Sequence, residues 1–221
     1  MKKSRHFAQT RFTFVALVTA FMQMTLHAQE ASWDATKDFT LTSNSGVNGV
    51  WSYGYADSEN KAKALLNVTS KTFFGKEFHG WSLAQNPSIC RNESAETQHG
   101  VEPGKLMMHP GMDGPSEQSL LTFTAPTNGK YSVKLRLAYN EVGDGVSVSA
   151  TKNLLSGAAP ANDHIYFTET LGASLPDYEW KESVDLKAGE TLSVSVGNGA
   201  LDSNGSDSTV VELVISRSAT P

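Results

Sequence analysis

Two stretches of the chain combine planar rings with hydrogen-bonding side chains. "VWSYGY" carries Trp51, Tyr53 and Tyr55, and "FHGWSLAQN" carries His79, Trp81, Gln85 and Asn86. A sugar is recognised when its apolar C–H face lies on an aromatic ring and its hydroxyls meet amide, imidazole or carboxylate groups at the rim. Trp81, His79, Gln85, Asn86 and Trp51 are therefore the candidate ligand-binding residues. Trp51 and Tyr53 also stand at strand spacing, which reads equally as one buried face of a sheet. Trp81 falls in a polar stretch, where a purely packing role is less evident.

A second chemistry is suggested by "LDSNGSDST", which sets Asp202, Asn204 and Asp207 around Gly205. Hard cations such as Ca²⁺ are held by several oxygen ligands on a flexible turn, so these three are the candidate metal ligands for a structural calcium. The spacing is not that of an EF-hand. A solvated Asn-Gly turn accounts for the same residues without an ion. Asp144 in "VGDGV" reads as turn chemistry.

Other candidates are weaker. His109 in "MHPGMDG", near Asp113 and Glu117, is a single positioned histidine without a neighbouring nucleophile. "DYEWKE" has the look of the paired acids of a glycosidase, which must stand about 5–5.5 Å apart in a retaining enzyme. On a strand Asp177 and Glu179 share one face while Glu182 points to the other. Cys90 is the only cysteine, so no intrachain disulfide forms, and it reads as a small buried apolar residue. No phosphate loop, zinc pair or nucleophile elbow occurs, and no catalytic residue is assigned.

These groups must be carried by an all-β scaffold. Tyr131, Val133, Leu135, Leu137 and Tyr139 alternate through "KYSVKLRLAYN", which "TNG" joins to "SLLTFTAP" as a hairpin. "GVSVSA", "HIYFTETL", "YEWKESVDL", "TLSVSVGNG" and "STVVELVIS" continue the period, and Gly, Asn, Asp and Pro punctuate them. Ser58–Val68 is the one stretch after the leader that suits a short helix. The polar run from Phe78 to Gly104 reads as a long connection. Eight or nine strands with almost no helix predict two packed antiparallel sheets.

"MKKSRHFAQTR" followed by the 15-residue apolar run "FTFVALVTAFMQMTL" has the form of a secretory signal peptide, assigned to residues 1–28. The run is shorter than the roughly 20 residues of a spanning helix, so no transmembrane span is expected in the mature chain. Residues 29–221 form a single domain with its core at about 34–215. Loss of the leader removes four positive charges and moves the formal charge from −5 to −9. An acidic chain without a basic patch disfavours nucleic acid as a partner.

The order "KLMMHPG", "LLTFTAPTNGKYSVKLRL", "GDGVSVSA", "DLKAGETLSVSVGNG" and "DSTVVELVI" resembles a module of secreted bacterial proteins, found in planctomycetes and in proteins with PEP-CTERM tails. Asp38-Phe39 and "NGVWSYGYA" also suit it. The resemblance implies a jelly-roll β-sandwich similar in outline to galactose-binding-like domains and carbohydrate-binding modules. The chain ends at "SRSATP" without the apolar anchor of PEP-CTERM proteins, so surface tethering is not expected. The expected function is a secreted, non-catalytic binding module for an extracellular glycan. An adhesion or structural role with an envelope protein and a polysaccharide lyase or hydrolase are the alternatives.

Overall fold

A computed structural model describes residues 31–44, 49–56, 62–111, 117–153, 164–199 and 205–217. The expected signal peptide, Asp113, Asp202 and Asn204 lie outside the described residues. Among the described residues there are fourteen strands and no helix. The first seven are β1 (Ala31–Asp34), β2 (Trp51–Ala56), β3 (Ala62–Leu65), β4 (Val68–Ser70), β5 (Phe78–Ser82), β6 (Ser88–Asn92) and β7 (Leu106–His109). The rest are β8 (Gln118–Thr124), β9 (Gly129–Tyr139), β10 (Val146–Lys152), β11 (His164–Leu171), β12 (Asp177–Leu186), β13 (Thr191–Asn198) and β14 (Thr209–Arg217).

They form an antiparallel two-sheet β-sandwich. One sheet runs β12-β9-β14-β7-β6-β5-β4, and the other runs β11-β10-β13-β8-β2-β3. On one side of β14, β7 pairs with Thr209–Val211 and β1 pairs with Val214–Arg217. From β7 onward the chain alternates between sheets: β8 lies in the second, β9 in the first, β10 and β11 in the second, and β12, β13 and β14 alternate again. This crossing gives the jelly-roll character, and it makes most contacts distant in sequence.

The alternation in β9 does what its period implies. Tyr131, Val133, Leu135, Leu137 and Tyr139 are all buried between the sheets, facing Leu192, Val194 and Val196 of β13. The outer face of β13 carries hydroxyls. Ser193 pairs with Thr122 at 2.8 Å and Ser195 with Ser149 at 2.7 Å, so small polar groups are satisfied across strands.

Two sequence expectations are corrected. The helix at Ser58–Val68 does not form in the described part, where 62–65 and 68–70 are strands. Asn44 explains part of this, because its side-chain amide donates to the carbonyls of Tyr53 (2.7 Å) and Leu66 (2.6 Å) while accepting the Tyr53 N–H (2.6 Å). That buried clamp holds Leu66 extended beside β2. Secondly, the polar run at 78–104 is not a long connection, for it contains β5 and β6.

The reason is a second, smaller core on the outer face of the first sheet. Phe73, Phe78, Cys90, Val101, Met107, Ala138 and Val210 pack there, under the segment from Glu93 to Gly104. Asn92 pins that segment by donating to the carbonyls of Glu96 and Val101, both at 2.8 Å. Gly80 permits the packing of β5 on β6, since a Cβ there would lie 2.2 Å from the Cys90 Cβ. Burial of Cys90 pushes its thiol pKa far up, so it is a packing group rather than a nucleophile.

Candidate functional site

Two clefts carry the polar and aromatic groups of interest. The first, of about 370 Å³, is lined by Ser32, Trp33, Asp38, Thr40, Ser43 and Trp51 among others. Its aromatic floor follows from register. Trp33 pairs with Ile215 in β1–β14, and Trp51 pairs with Phe123 in β2–β8, so the two indoles come from opposite sheets. Both lean on one ring: Phe123 lies 5.2 Å from Trp33 and 5.4 Å from Trp51, with Tyr131 at 6.0 Å from Trp33.

Asp38 links the cleft's polar and aromatic parts. One of its oxygens accepts the Trp51 indole N–H at 3.0 Å and the Asp34 backbone N–H at 3.0 Å. Asp34 in turn accepts the backbone N–H groups of Thr36 and Lys37, which builds the turn after β1. The result is a half-buried Trp33 ring and a fixed Trp51 ring beside a positioned carboxylate.

The second cleft, of about 360 Å³, is lined by Gln85, Asn86, His99, His109, Glu141 and Ser208 among others. Glu141 accepts the Ser208 backbone N–H at 3.0 Å, and its other oxygen lies 3.2 Å from His99 Nδ1. His109 is buried, with Nδ1 at 2.9 Å from the Pro110 carbonyl. Each imidazole therefore donates from Nδ1, to the Glu141 carboxylate in His99 and to the Pro110 carbonyl in His109. Burial lowers the His109 pKa, against the opposing pull of the Pro110 carbonyl and Glu141, so it is neutral near neutral pH. The Phe74 ring contacts both histidines, at 5.7 Å from His99 and 4.9 Å from His109.

Backbone strain concentrates here. Among the described residues four non-glycine positions have positive φ, and three of them, Phe74 (52°), His99 (50°) and Ser206 (66°), line this cleft. Asp207, next to Ser206, is fully buried, and neither carboxylate oxygen has a hydrogen-bond partner. Burial, followed by the nearby carboxylates of Asp144 and Glu141, pushes its pKa up to about 8.

The sequence candidates are thus divided. Trp51 reaches the first cleft, although the residue is only 6% exposed. Gln85 and Asn86 reach the second, and Asp207 lies behind its rim. Trp81 joins neither: it is 8% exposed, gives its indole N–H to the Thr40 carbonyl at 2.8 Å, and stacks parallel to Tyr53 at 6.4 Å. Its expected place in a polar loop is corrected to an inward position of β5. His79, also on β5, is half-buried and opposite Arg91, away from both sets of lining residues.

Asp177 and Glu179 do share one face of β12, but each is in an ion pair, with Arg136 and Lys181 respectively, both at 2.5 Å. Residues not singled out from sequence include Trp33, Asp38, His99 and Glu141. Trp33 was the most accessible of these to sequence reasoning, as a tryptophan followed closely by Asp34 and Asp38. Among the described residues no three His, Cys, Asp or Glu side chains form a metal-binding group by themselves. No helix among them is long and apolar enough to cross a membrane.

No family model and no curated protein matches the sequence. Among solved structures, the chain is similar to the K1 cleaved adhesin domain of Lys-gingipain from Porphyromonas gingivalis W83, at 10% identity and TM-score 0.40, over 87% of this chain and 99% of that one. It is also similar to TmCBM61, solved with beta-1,4-galactotriose, at 11% identity and TM-score 0.36, over 86% and 90% of the two chains. A family 35 carbohydrate-binding module from Clostridium thermocellum gives 12% identity and TM-score 0.32, over 74% and 97%. These are likenesses of outline, and they assign no ligand to this chain.

Proposed function

We propose that the protein is a non-catalytic carbohydrate-binding module that works outside the cytoplasm and takes a sugar in the Trp33–Trp51 cleft. The observation that carries this reading is the convergence of two indoles from opposite sheets on one cleft with the Asp38 carboxylate at its side. A pyranose ring laid on Trp33 would exchange water for aromatic contact on its C–H face, while Asp38, Ser32 and Thr40 meet its hydroxyls. At about 370 Å³ the cleft is near the small end of ligand pockets, roughly 300–1,000 Å³. It suits one or two sugar units, so a longer glycan would extend along the surface.

Binding to a panel of soluble polysaccharides, measured by calorimetry, tests the reading with Trp33→Ala and Trp33→Phe beside the wild type. Trp33→Ala is expected to weaken binding by about tenfold or more, from the loss of a stacking partner worth about 0.5–1.5 kcal/mol beyond its buried area. Trp33→Phe retains a ring and most of the affinity. Failure of the wild-type chain to bind any member of the panel, or undiminished binding by a folded Trp33→Ala protein, overturns the reading.

A further inference from the structure

The second cleft stands apart from the Trp33–Trp51 cleft and draws its lining from separate parts of the chain. Phe74 comes from the turn before β5, Asn86 from the turn between β5 and β6, and His109 from the end of β7. Glu141 follows β9, and Ser206 precedes β14. The side chain that points to a ligand is His109. The residue is only 5% exposed, and its Nδ1 donates to the Pro110 carbonyl. A neutral imidazole that donates from one nitrogen accepts on the other. Nε2 of His109 has no hydrogen-bond partner among the described residues, and unlike Nε2 of His99 it is not sealed from solvent. A ring held almost wholly inside the fold thus keeps one acceptor open at the cleft.

The charge of this cleft is one-sided. The Glu141 side chain is 15% exposed, with its oxygens taking the His99 Nδ1–H and the Ser208 backbone N–H. No lysine or arginine is among the described lining residues. A cleft of that sign favours a cation with N–H donors and disfavours an anion. Phe74 is half-buried against both imidazoles, and the rest of its ring can take a cation or a C–H face. Amides complete the wall. Asn86 accepts the Ser88 hydroxyl on Oδ1 and keeps its N–H₂ group for another oxygen, and Gln85 is exposed beside it.

We propose that the second cleft binds an amino sugar whose amine is free, with the ammonium group held by Glu141 and His109 Nε2 and the ring hydroxyls met by Gln85, Asn86 and Ser206. An ammonium carries three N–H donors and a full positive charge, which answers both the open acceptor and the carboxylate. A neutral sugar would leave the carboxylate without a counter-charge. A plain alkylamine would leave the amides and the serine hydroxyl unused. At about 360 Å³ the cleft has room for one hexosamine unit. The inference does not depend on a sugar in the Trp33–Trp51 cleft.

The test titrates the full chain at about pH 7, where most of the amine carries its proton, and follows binding by calorimetry and by NMR. The probes are a glucosamine oligomer, its N-acetylated counterpart and a linear alkyl diamine. The glucosamine oligomer is expected to bind and to shift the ring signals of His99 and His109. N-acetylation removes the charge and should weaken binding by about tenfold or more, and the diamine should be weaker by a similar factor. Raising NaCl from about 0.05 M to about 0.5 M should weaken the glucosamine oligomer several-fold by screening. Glu141→Gln should reduce its affinity to that of the N-acetylated probe. Gln85→Ala, at the exposed rim, should cost about threefold. The ligand comparison needs only the wild type, so it decides the matter if Glu141→Gln does not fold. Absence of binding by the glucosamine oligomer, equal affinity for the N-acetylated oligomer or the diamine, or shifts confined to the indole signals of Trp33 and Trp51 overturns the proposal. So does undiminished binding by a folded Glu141→Gln protein.

Discussion

The Trp33–Trp51 cleft and the His99–His109 cleft stand at opposite ends of the same long strands, and they treat their polar groups differently. Trp33 packs near Tyr131, at the start of β9, whereas Glu141 follows Tyr139 at its end. Eight positions of strand, at about 3.3 Å each, separate those ends by roughly 26 Å. Beside the aromatic cleft the carboxylates are engaged by the chain: Asp34 and Asp38 collect backbone N–H groups, and Asp38 also holds an indole. The polar cleft keeps strained backbone at Phe74, His99 and Ser206 and a buried carboxyl without a donor at Asp207. Beside one cleft the carboxylates are held by the chain itself, whereas behind the other the Asp207 carboxyl is left without a partner.

The support beneath the two ends also differs. The aromatic cleft rests on the main inter-sheet core, while Phe74 of the polar cleft rests on the small outer cluster around Phe78 and Cys90. Gly80→Ala should therefore have the largest effect on stability, because its Cβ would fall 2.6 Å from the Ile89 carbonyl and 2.7 Å from Cys90 Cα, both backbone atoms. A loss of about 3 kcal/mol is expected from this overpacking, read from urea unfolding. A loss below about 0.5 kcal/mol would show that the outer cluster yields easily.

The next prediction separates the ends by pH. The folded-state pKa of Asp207, about 8, lies above its ordinary value of 3.8, so the folded chain binds the extra proton between those limits. This contribution is present in full below about pH 4 and is lost as pH rises towards 8. The wild-type Tm should fall over that window by about 5 °C or more, since 1 kcal/mol moves Tm by roughly 2–4 °C at this chain length. Asp207→Asn should flatten the slope, and a slope unchanged by that substitution would place its origin elsewhere.

The smallest effect is expected at the aromatic end. Trp51→Phe keeps a ring against Phe123 but removes the indole N–H from Asp38. A stability loss of about 1 kcal/mol is expected, with Tm otherwise following pH as in the wild type. A much larger loss would mean that Asp38 depends on Trp51 for its position, and that the aromatic end is less self-contained than its hydrogen bonds imply.

Legibility from sequence followed the range of the interaction. The alternation of Tyr131 to Tyr139 was readable because period-2 patterning is local and the strand is long. Trp81 was harder: β5 is five residues long and buries Phe78 on one face and Trp81 on the other, so neither its pattern nor its neighbours marked it as a strand. Ser58–Val68 looked helical from composition, but pairing with β2 and the Asn44 clamp determined its described part. The candidate sites split for the same reason. Asp207 stood out in its loop, but its partners Glu141 and Asp144 come from a turn more than sixty residues earlier.

By itself the amino-acid sequence determined that the chain is all-β, that its second half alternates into two packed sheets, and that its surface is acidic. Those properties depend on residue type and near-neighbour spacing, which a linear chain states directly. Only the tertiary structure decided which rings share a cleft, why Trp81 is not among them, and that Asp207 is enclosed with charges of its own sign. Such groupings arise when strands from opposite sheets cross at one end of the sandwich, and spacing along the chain carries no record of that meeting.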